Sequence, residues 1–307
     1  MDPLDLIETG KISRFFRATR KLNSPGIVSH ITQRAAGKEP LFLEDADYLF
    51  MLWLLKEIAQ KYSLKIYSFC LMPNHVHLLL SPEEKNLVDA MRDLFSRYAM
   101  KFNRKYERKG HLFGGPYRQA VCFDDNYLLA ASLYIHLNPV KASIVADPIE
   151  YRWSSIELYC NENAPKSFVD PHLILDLLSQ HKKDGRKKYQ TLLEHGSGID
   201  TGHVLEQEDA IERFGSKLAA ILPALFRQIE QKKKITNPLG MNLLSIETLE
   251  KKIEEMKRSP VGNAPESRKA KKYLIEQLLA RGFKKIEIAE CLGISRKTVY
   301  NILKISE

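Results

Sequence analysis

The 307-residue chain is 44% hydrophobic and 28% charged, an ordinary globular balance at a length sufficient for two or three structural units. Its longest apolar run, Tyr48 to Leu55, is far short of the roughly 18 residues a membrane span needs. The acidic start Met1-Asp2-Pro3-Leu4-Asp5 lacks a signal-peptide core, and Cys70, Cys122, Cys160 and Cys291 form no Cys-x-x-Cys pair. A soluble cytoplasmic protein is expected, with no disulfide frame and no structural zinc. The formal charge of +9 is uneven: residues 251–307 hold 14 Lys+Arg against 7 Asp+Glu, a net of +7. Lys85 to Gln119 hold 9 against 3, a net of +6. Two basic segments suggest polyanion contact at two places, with solvated helix faces as the alternative. In the Lys85 to Gln119 segment the candidate DNA-binding cations are Arg97, Lys101, Arg104, Lys105 and Arg118.

In chain order, Ser24-Pro25-Gly26 closes a polar, basic arm and opens a predicted strand, Ile27 to Gln33. Leu43 to Lys61 carries Tyr48, Met51, Leu52, Leu55 and Ile58 at helical spacing. Lys65 to Leu71 is β-branched and aromatic, and Pro73-Asn74 turns it into a second strand, His75 to Leu80. A helix follows over Asn86 to Tyr106, then a turn-rich stretch, then a short strand over Gln119 to Phe123. Asp124-Asp125-Asn126 caps a helix reaching about Leu137, with Pro139 marking its end nearby. The order β-α-β-β-α-β-α predicts an α+β sandwich with helices on one face of an antiparallel sheet. Beyond Pro165 the pattern is helical throughout, including Leu173 to Leu178 and Ile211 to Ile229, with Lys232-Lys233-Lys234 as a solvated run or phosphate contact.

The chemistry concentrates in Met72-Pro73-Asn74-His75-Val76-His77-Leu78-Leu79. Histidines at i and i+2 on a strand point to one face, which makes half of a metal site. In Tyr134-Ile135-His136-Leu137-Asn138 the tyrosine and asparagine, at i and i+4, share a helix face that could meet the histidines. His75, His77 and the Asn138 side-chain carbonyl then give three ligands with open positions for a substrate oxygen. A phenol is a weak nucleophile at neutral pH, and a divalent ion that polarises a phosphate compensates. Tyr127 lies two turns before Tyr134 on nearly the same face, so spacing does not choose between them; Tyr98, Tyr106 and Tyr117 are further candidates, and His136 reads as a surface residue.

Pro73-Asn74-His75-Val76-His77 followed by Tyr134-Ile135-His136-Leu137-Asn138-Pro139-Val140-Lys141-Ala142 resembles the single-tyrosine HUH transposases of the insertion-sequence type, closest to their REP-associated branch. Pro25-Gly26-Ile27-Val28-Ser29-His30-Ile31, Phe102-Asn103-Arg104-Lys105-Tyr106 and Tyr151-Arg152-Trp153-Ser154-Ser155 also match, so the resemblance spans about residues 24–156. It implies a ferredoxin-like catalytic core acting on single-stranded DNA, with His75 and His77 as the metal pair, Asn138 as third ligand and Tyr134 as nucleophile. It further implies a 5′-phosphotyrosyl intermediate with a free 3′-OH, and magnesium or manganese, of which manganese tolerates imidazole better. Arg34-Ala35-Ala36-Gly37 and Leu112-Phe113-Gly114-Gly115 depart from the family pattern at places that shape DNA contact.

A second signal lies at the carboxy end. Lys271 to Ala280, Lys285 to Leu292 and Arg296 to Lys304 read as three helices, with Ala289, Gly293 and Val299 at relative positions 1, 5 and 11. A helix-turn-helix needs a small residue at the crossing, a turn glycine and an apolar anchor at that spacing. The segment resembles the helix-turn-helix domains of resolvases and transposases, and Ser295, Arg296, Lys297, Thr298, Tyr300 and Asn301 are the candidate duplex contacts. The expected domains are a catalytic one over 1–160, a helical connector over 161–260 and a helix-turn-helix over 261–307. Three functions are open: a DNA-strand transferase that holds an exposed strand or hairpin while its tail docks on duplex, a catalytically silent DNA-binding regulator, and an HUH relaxase or replication initiator. DNA is the expected partner, with no membrane, and a homodimer is a further candidate.

Overall fold

The computed structural model describes residues 21, 23, 25–37, 39–122, 124–179, 181–199, 210–232, 246–258, 265–280, 283 and 285–304. Most of the amino-terminal arm, Phe123 and two lysines of the 232–234 run lie outside them. The described residues divide into two units, one over 23–232 and one over 246–304.

The first unit opens with strand β1, Ser29–Arg34, followed by helix α1, Asp45–Lys61, strands β2, Leu64–Met72, and β3, His75–Pro82, helix α2, Leu87–Lys105, strand β4, Arg118–Val121, and helix α3, Asp125–Lys141. The sheet order is β2-β3-β1-β4, with every neighbouring pair antiparallel. This is the ferredoxin-like arrangement, in which each helix crosses between strands that are not neighbours. The Pro73-Asn74 turn joins β2 to β3 and pairs Met72 with His75. Every residue of β3 from Val76 to Pro82 is buried, on both faces. The sheet is therefore covered on both sides, not on one as the element order alone suggested.

α1 starts at a capping box between Glu44 and Asp47. Its apolar residues Met51, Leu54, Leu55 and Ile58 are fully buried, each contributing roughly 1.5–3 kcal/mol relative to exposure. The seam with α2 is closed by Arg97 on Glu57 at 2.6 Å, Lys61 on Asp93 at 2.7 Å and Lys105 on Asp47 at 2.6 Å. The outer edge of β2 is not left open. Leu71 N–H donates to Trp153 O at 2.9 Å, Ser155 N–H to Phe69 O at 3.0 Å and Asp170 N–H to Ile66 O at 2.8 Å, which blocks edge-to-edge pairing.

α3 begins at Asp124, whose carboxylate accepts from Tyr127 N–H at 2.7 Å. It runs one turn past the predicted stop, with Pro139 inside it. A proline in the last turn removes one helical hydrogen bond and tilts the end without breaking the body.

Helices α4, Glu157–Cys160, α5, His172–Leu178, α6, Lys182–Ser197, α7, Ala210–Ile221, and α8, Pro223–Lys232, complete the unit. Their residues Leu175, Tyr189, Leu192, Phe214 and Ile229 join the same core as Ile31, Leu79 and Leu137. Packing therefore continues through 161–232, and these helices are not a separate connector. The helix predicted over Ile211 to Ile229 is two, because Pro223 cannot donate to an earlier carbonyl and instead starts α8. A β-carbon at Gly185 of α6 would lie 2.9 Å from the carbonyl oxygen of Leu175 on α5. Gly185→Ala is therefore expected to lower the stability of this unit by about 1–3 kcal/mol despite its better helix propensity, read as a reduced urea midpoint at constant slope.

The second unit holds α9, Ile246–Arg258, α10, Pro265–Ala280, α11, Lys285–Leu292, and α12, Arg296–Lys304. Leu249 and Ile253 of α9 share its core with Leu274, Ile275, Ile288, Ala289, Val299 and Ile302, so the helix before residue 261 is part of this unit. Gly293 has φ of 64° at the turn between α11 and α12, a conformation that favours glycine.

Candidate active site

The register places a polar patch on one face of the sheet. Thr32 stands opposite His77, Arg34 opposite His75 and Arg118 opposite Thr32. Cross-strand partners point the same way, so His30, Thr32, Arg34, His75, His77 and Arg118 form one surface. His75 and His77 meet edge to face, with ring centroids 4.7 Å apart.

Helix α3 lies over this patch. Tyr134 turns its ring edge to His77 at a centroid distance of 6.1 Å, and Asn138 Oδ1 is 3.2 Å from His75 Nε2. The i, i+4 spacing thus brings both side chains to the histidine pair. Phe214 of α7 packs against the Tyr134 ring at a centroid distance of 6.2 Å, and Tyr134 is 4% exposed. Burial raises the Tyr134 phenol pKa well above the ordinary tyrosine value, its hydrogen bond with Asn138 pulling the other way.

The nitrogen atoms define what the site can hold. Asn74 Oδ1 lies 2.7 Å from His75 Nδ1, and as an oxygen it accepts, so His75 carries its proton on Nδ1 and presents a lone pair at Nε2. That lone pair faces another acceptor, Asn138 Oδ1. His77 Nε2 is buried with no hydrogen-bond partner, and so is Asn138 Nδ2. Two acceptors in contact beside an orphaned buried nitrogen are unfavourable without a positive group between them.

Burial drives the histidines toward neutrality. His30 and His75 fall to about 4, His30 by burial and then the charge of His75, His75 by burial and then Arg34, opposed by the hydrogen bond that only its charged form could donate to Asn138. His77 lies well below the ordinary value through burial and the charges of His75, His30 and Arg34. His136, expected at the surface, is fully buried, and burial lowers it to about 3. Its Nδ1 is 2.7 Å from the Tyr189 hydroxyl and its Nε2 2.8 Å from Ser155 Oγ, which pins α3 between α6 and the edge of β2. For each of these groups the folded pKa is below the unfolded one, so the unfolded state binds more protons below about pH 6.5. Stability is therefore expected to fall as pH drops from about 6.5 toward 4, by up to about 1.4 kcal/mol per pH unit per histidine. Denaturant titrations across that range measure it.

The remaining predicted residues divide. Tyr98 and Tyr106 are committed elsewhere, donating to Leu41 O and Asp47 Oδ2. Tyr127 is half-buried on the same helix, and burial pushes its phenol up as well. Arg97 and Lys105 are held in the α1–α2 seam, and Lys101 sits 3.8 Å over the Phe50 ring, while Arg104 and Arg118 are exposed. In the second unit Ser295 Oγ accepts from Thr298 N–H at 3.0 Å and starts α12. Ser295, Arg296, Lys297, Tyr300 and Asn301 are exposed there and Thr298 is half-buried. His30, Thr32 and Arg34 were not predicted as site residues. Their alternation on a strand is the signal that would have found them.

Residues 26–138, which carry the ferredoxin-like sheet, the His-x-His pair and the tyrosine helix, match the family model described as transposase IS200 like. Residues 266–307 match the model described as homeodomain-like domain. No curated protein sequence matches the chain. Among solved structures, a REP-associated tyrosine transposase bound to a REP hairpin is similar, at 13% identity over 49% of this chain and 92% of that one, with a TM-score of 0.42. Among the described residues no helix is long and apolar enough to cross a membrane.

Proposed function

We propose that the protein is a metal-dependent transposase that cleaves and rejoins single-stranded DNA through Tyr134. The observation that carries this reading is the meeting of Tyr134 and Asn138, one turn apart on α3, with the His75–His77 pair. A divalent cation, magnesium or manganese, suits the donors present: the lone pair of His75 Nε2, the unpartnered His77 Nε2 and Asn138 Oδ1. Among the described residues no three His, Cys, Asp or Glu side chains converge on one point, so the amide oxygen is needed as the third protein ligand. Bound there, the cation supplies Lewis-acid activation of the scissile phosphate.

Tyr134 Oη attacks the phosphorus, gives up its proton to solvent, and forms the 5′-phosphotyrosyl bond as the P–O3′ bond breaks; the departing O3′ takes up a proton from solvent and leaves a 3′-OH. The reverse attack by a 3′-OH rejoins strands without an external energy source. Because burial disfavours the phenolate, attack requires that proton to leave as the negatively charged strand docks. Arg34 and Arg118, on the same sheet face, supply positive charge beside the pair.

The second unit docks on duplex next to the reacting strand, with the exposed side chains at the start of α12 reading bases and phosphates. Lys297→Ala is expected to reduce the slope of log affinity against log salt for duplex binding by about 0.9, the value for one lost phosphate contact, measured by fluorescence anisotropy across a salt series. The function itself is tested by incubating the protein with labelled hairpin-bearing single strands, with manganese or with EDTA. A covalent adduct that requires manganese supports the proposal. Absence of adduct on a full panel of hairpin and unpaired strands leaves DNA binding without chemistry and overturns it.

A further inference from the structure

We propose that His30 is a positioning residue for the site: it accepts the Nδ1 proton of His77 and so fixes His77 in the tautomer whose Nε2 offers a lone pair to the metal. The inference rests on the metal reading above and extends it to a side chain that touches neither DNA nor metal. His30 Nε2 is 2.9 Å from His77 Nδ1. The ring planes are within 16° of parallel and the centroids are 5.1 Å apart. With nitrogens so close and centroids so far apart, the rings meet edge to edge in nearly one plane, as a hydrogen bond requires, not face over face.

One proton occupies that contact, and its owner decides the chemistry. If His77 donates, its Nε2 is bare and can ligate. If His77 accepts, its single proton sits on Nε2, and a buried N–H faces the place where a cation belongs. His77 Nε2 has no other partner, so nothing on that side of the ring selects the tautomer, and the choice falls to the Nδ1 side. Metal-ligating histidines are generally oriented through their second nitrogen by a carboxylate or carbonyl. Here the neighbouring strand offers neither, and His30, buried at 7% exposure, takes that place. Thr32 Oγ1 is farther away, 3.3 Å from His30 Nε2 and 3.4 Å from His77 Nδ1. His75 obtains the same service from Asn74 Oδ1 at 2.7 Å, so each histidine of the pair has one oriented nitrogen and one presented to the site. β1 supplies His30 through its register beside β3, with His30 opposite Leu79 and Thr32 opposite His77.

The test uses the full chain and two readouts. Long-range proton–nitrogen NMR of the EDTA-treated protein assigns the His77 tautomer; the proton is expected on Nδ1. Manganese binding is measured by calorimetry for wild type, His30→Leu and His30→Gln. His30→Leu is expected to weaken binding by roughly 10–100-fold, the usual effect of losing such a partner. His30→Gln is expected to recover most of that loss, because its amide oxygen accepts the same proton. Circular dichroism verifies the fold, and if the leucine variant does not fold, the glutamine variant and the NMR assignment decide. A proton on Nε2 of wild-type His77, or unchanged manganese affinity in a folded His30→Leu, overturns the proposal. If wild type binds no manganese, the metal reading of the site fails, and the tautomer alone decides the part played by His30.

Discussion

Replacement of Tyr134 by phenylalanine is expected to abolish the covalent protein–DNA adduct, reducing strand cleavage by a factor on the order of 10⁴ or more, as loss of a nucleophile does. The substitution removes one oxygen and keeps the ring that packs against His77, at 6.1 Å, and Phe214, at 6.2 Å. The fold should survive with a loss of about 1 kcal/mol for the missing hydrogen bond to Asn138, and manganese binding should persist because His75, His77 and Asn138 are untouched. The control is Tyr127→Phe. Tyr127 shares the helix, but it is Tyr134 whose ring meets His77, so the Tyr127 variant should keep the adduct. The opposite result, an adduct lost with Tyr127 and retained without Tyr134, moves the nucleophile two turns along α3.

That ambiguity shows what local sequence carries and what it does not. Tyr127 and Tyr134 are seven residues apart, so on an α-helix they differ by only about 20° in direction but by about 10 Å along the axis. Spacing gives the face; only the place where α3 crosses the sheet gives the height. Asn138 against His75 fixes that crossing. The histidine pair was legible because i, i+2 on a strand is a local fact. His30 stood in a different matched segment, Pro25 to Ile31, and its part depends on β1 lying beside β3, which follows from the split β-α-β connection and not from any window of residues. Helices α5, α7 and α8 were legible as amphipathic, but nothing in their pattern said that Phe214 would close on Tyr134 or that Gly185 would allow α5 and α6 to touch. The residues 151–155, matched as a motif, have a plain structural reason: Tyr151 donates to Leu71 O at 2.7 Å and Ser155 joins His136 to Phe69, holding the sheet edge and the tyrosine helix together. In the second unit the small residue, glycine and valine of the helix-turn-helix sit where spacing put them, because that motif is contiguous.

The metal half of the site makes the second large prediction. His77→Ala is expected to remove measurable manganese binding and to lower adduct formation at least 10²-fold, to the level of wild type in EDTA. The informative quantity is the combination. If His77 acts by holding the ion, EDTA has nothing further to remove from the variant, so the two losses do not add. If instead His77 orders Tyr134 by packing alone, the variant and EDTA act independently and their effects multiply, which would falsify the ligand assignment. Some structural cost is expected, since His30 Nε2 loses the partner at 2.9 Å and keeps only the longer contact with Thr32 Oγ1 at 3.3 Å, a loss of about 1 kcal/mol for the hydrogen bond. A pH profile adds a second discriminator. A proton competes with a cation for an imidazole only below that imidazole's own pKa. His75 is lowered to about 4 and His77 well below the ordinary value, both chiefly by burial. Manganese affinity is therefore expected to stay nearly flat from pH 7 to about 5 and to fall only as pH approaches 4. A pair of solvent-exposed histidines would instead lose the ion through about pH 6.5. Loss of binding at that higher pH would mean that the imidazoles holding the ion are not this buried pair.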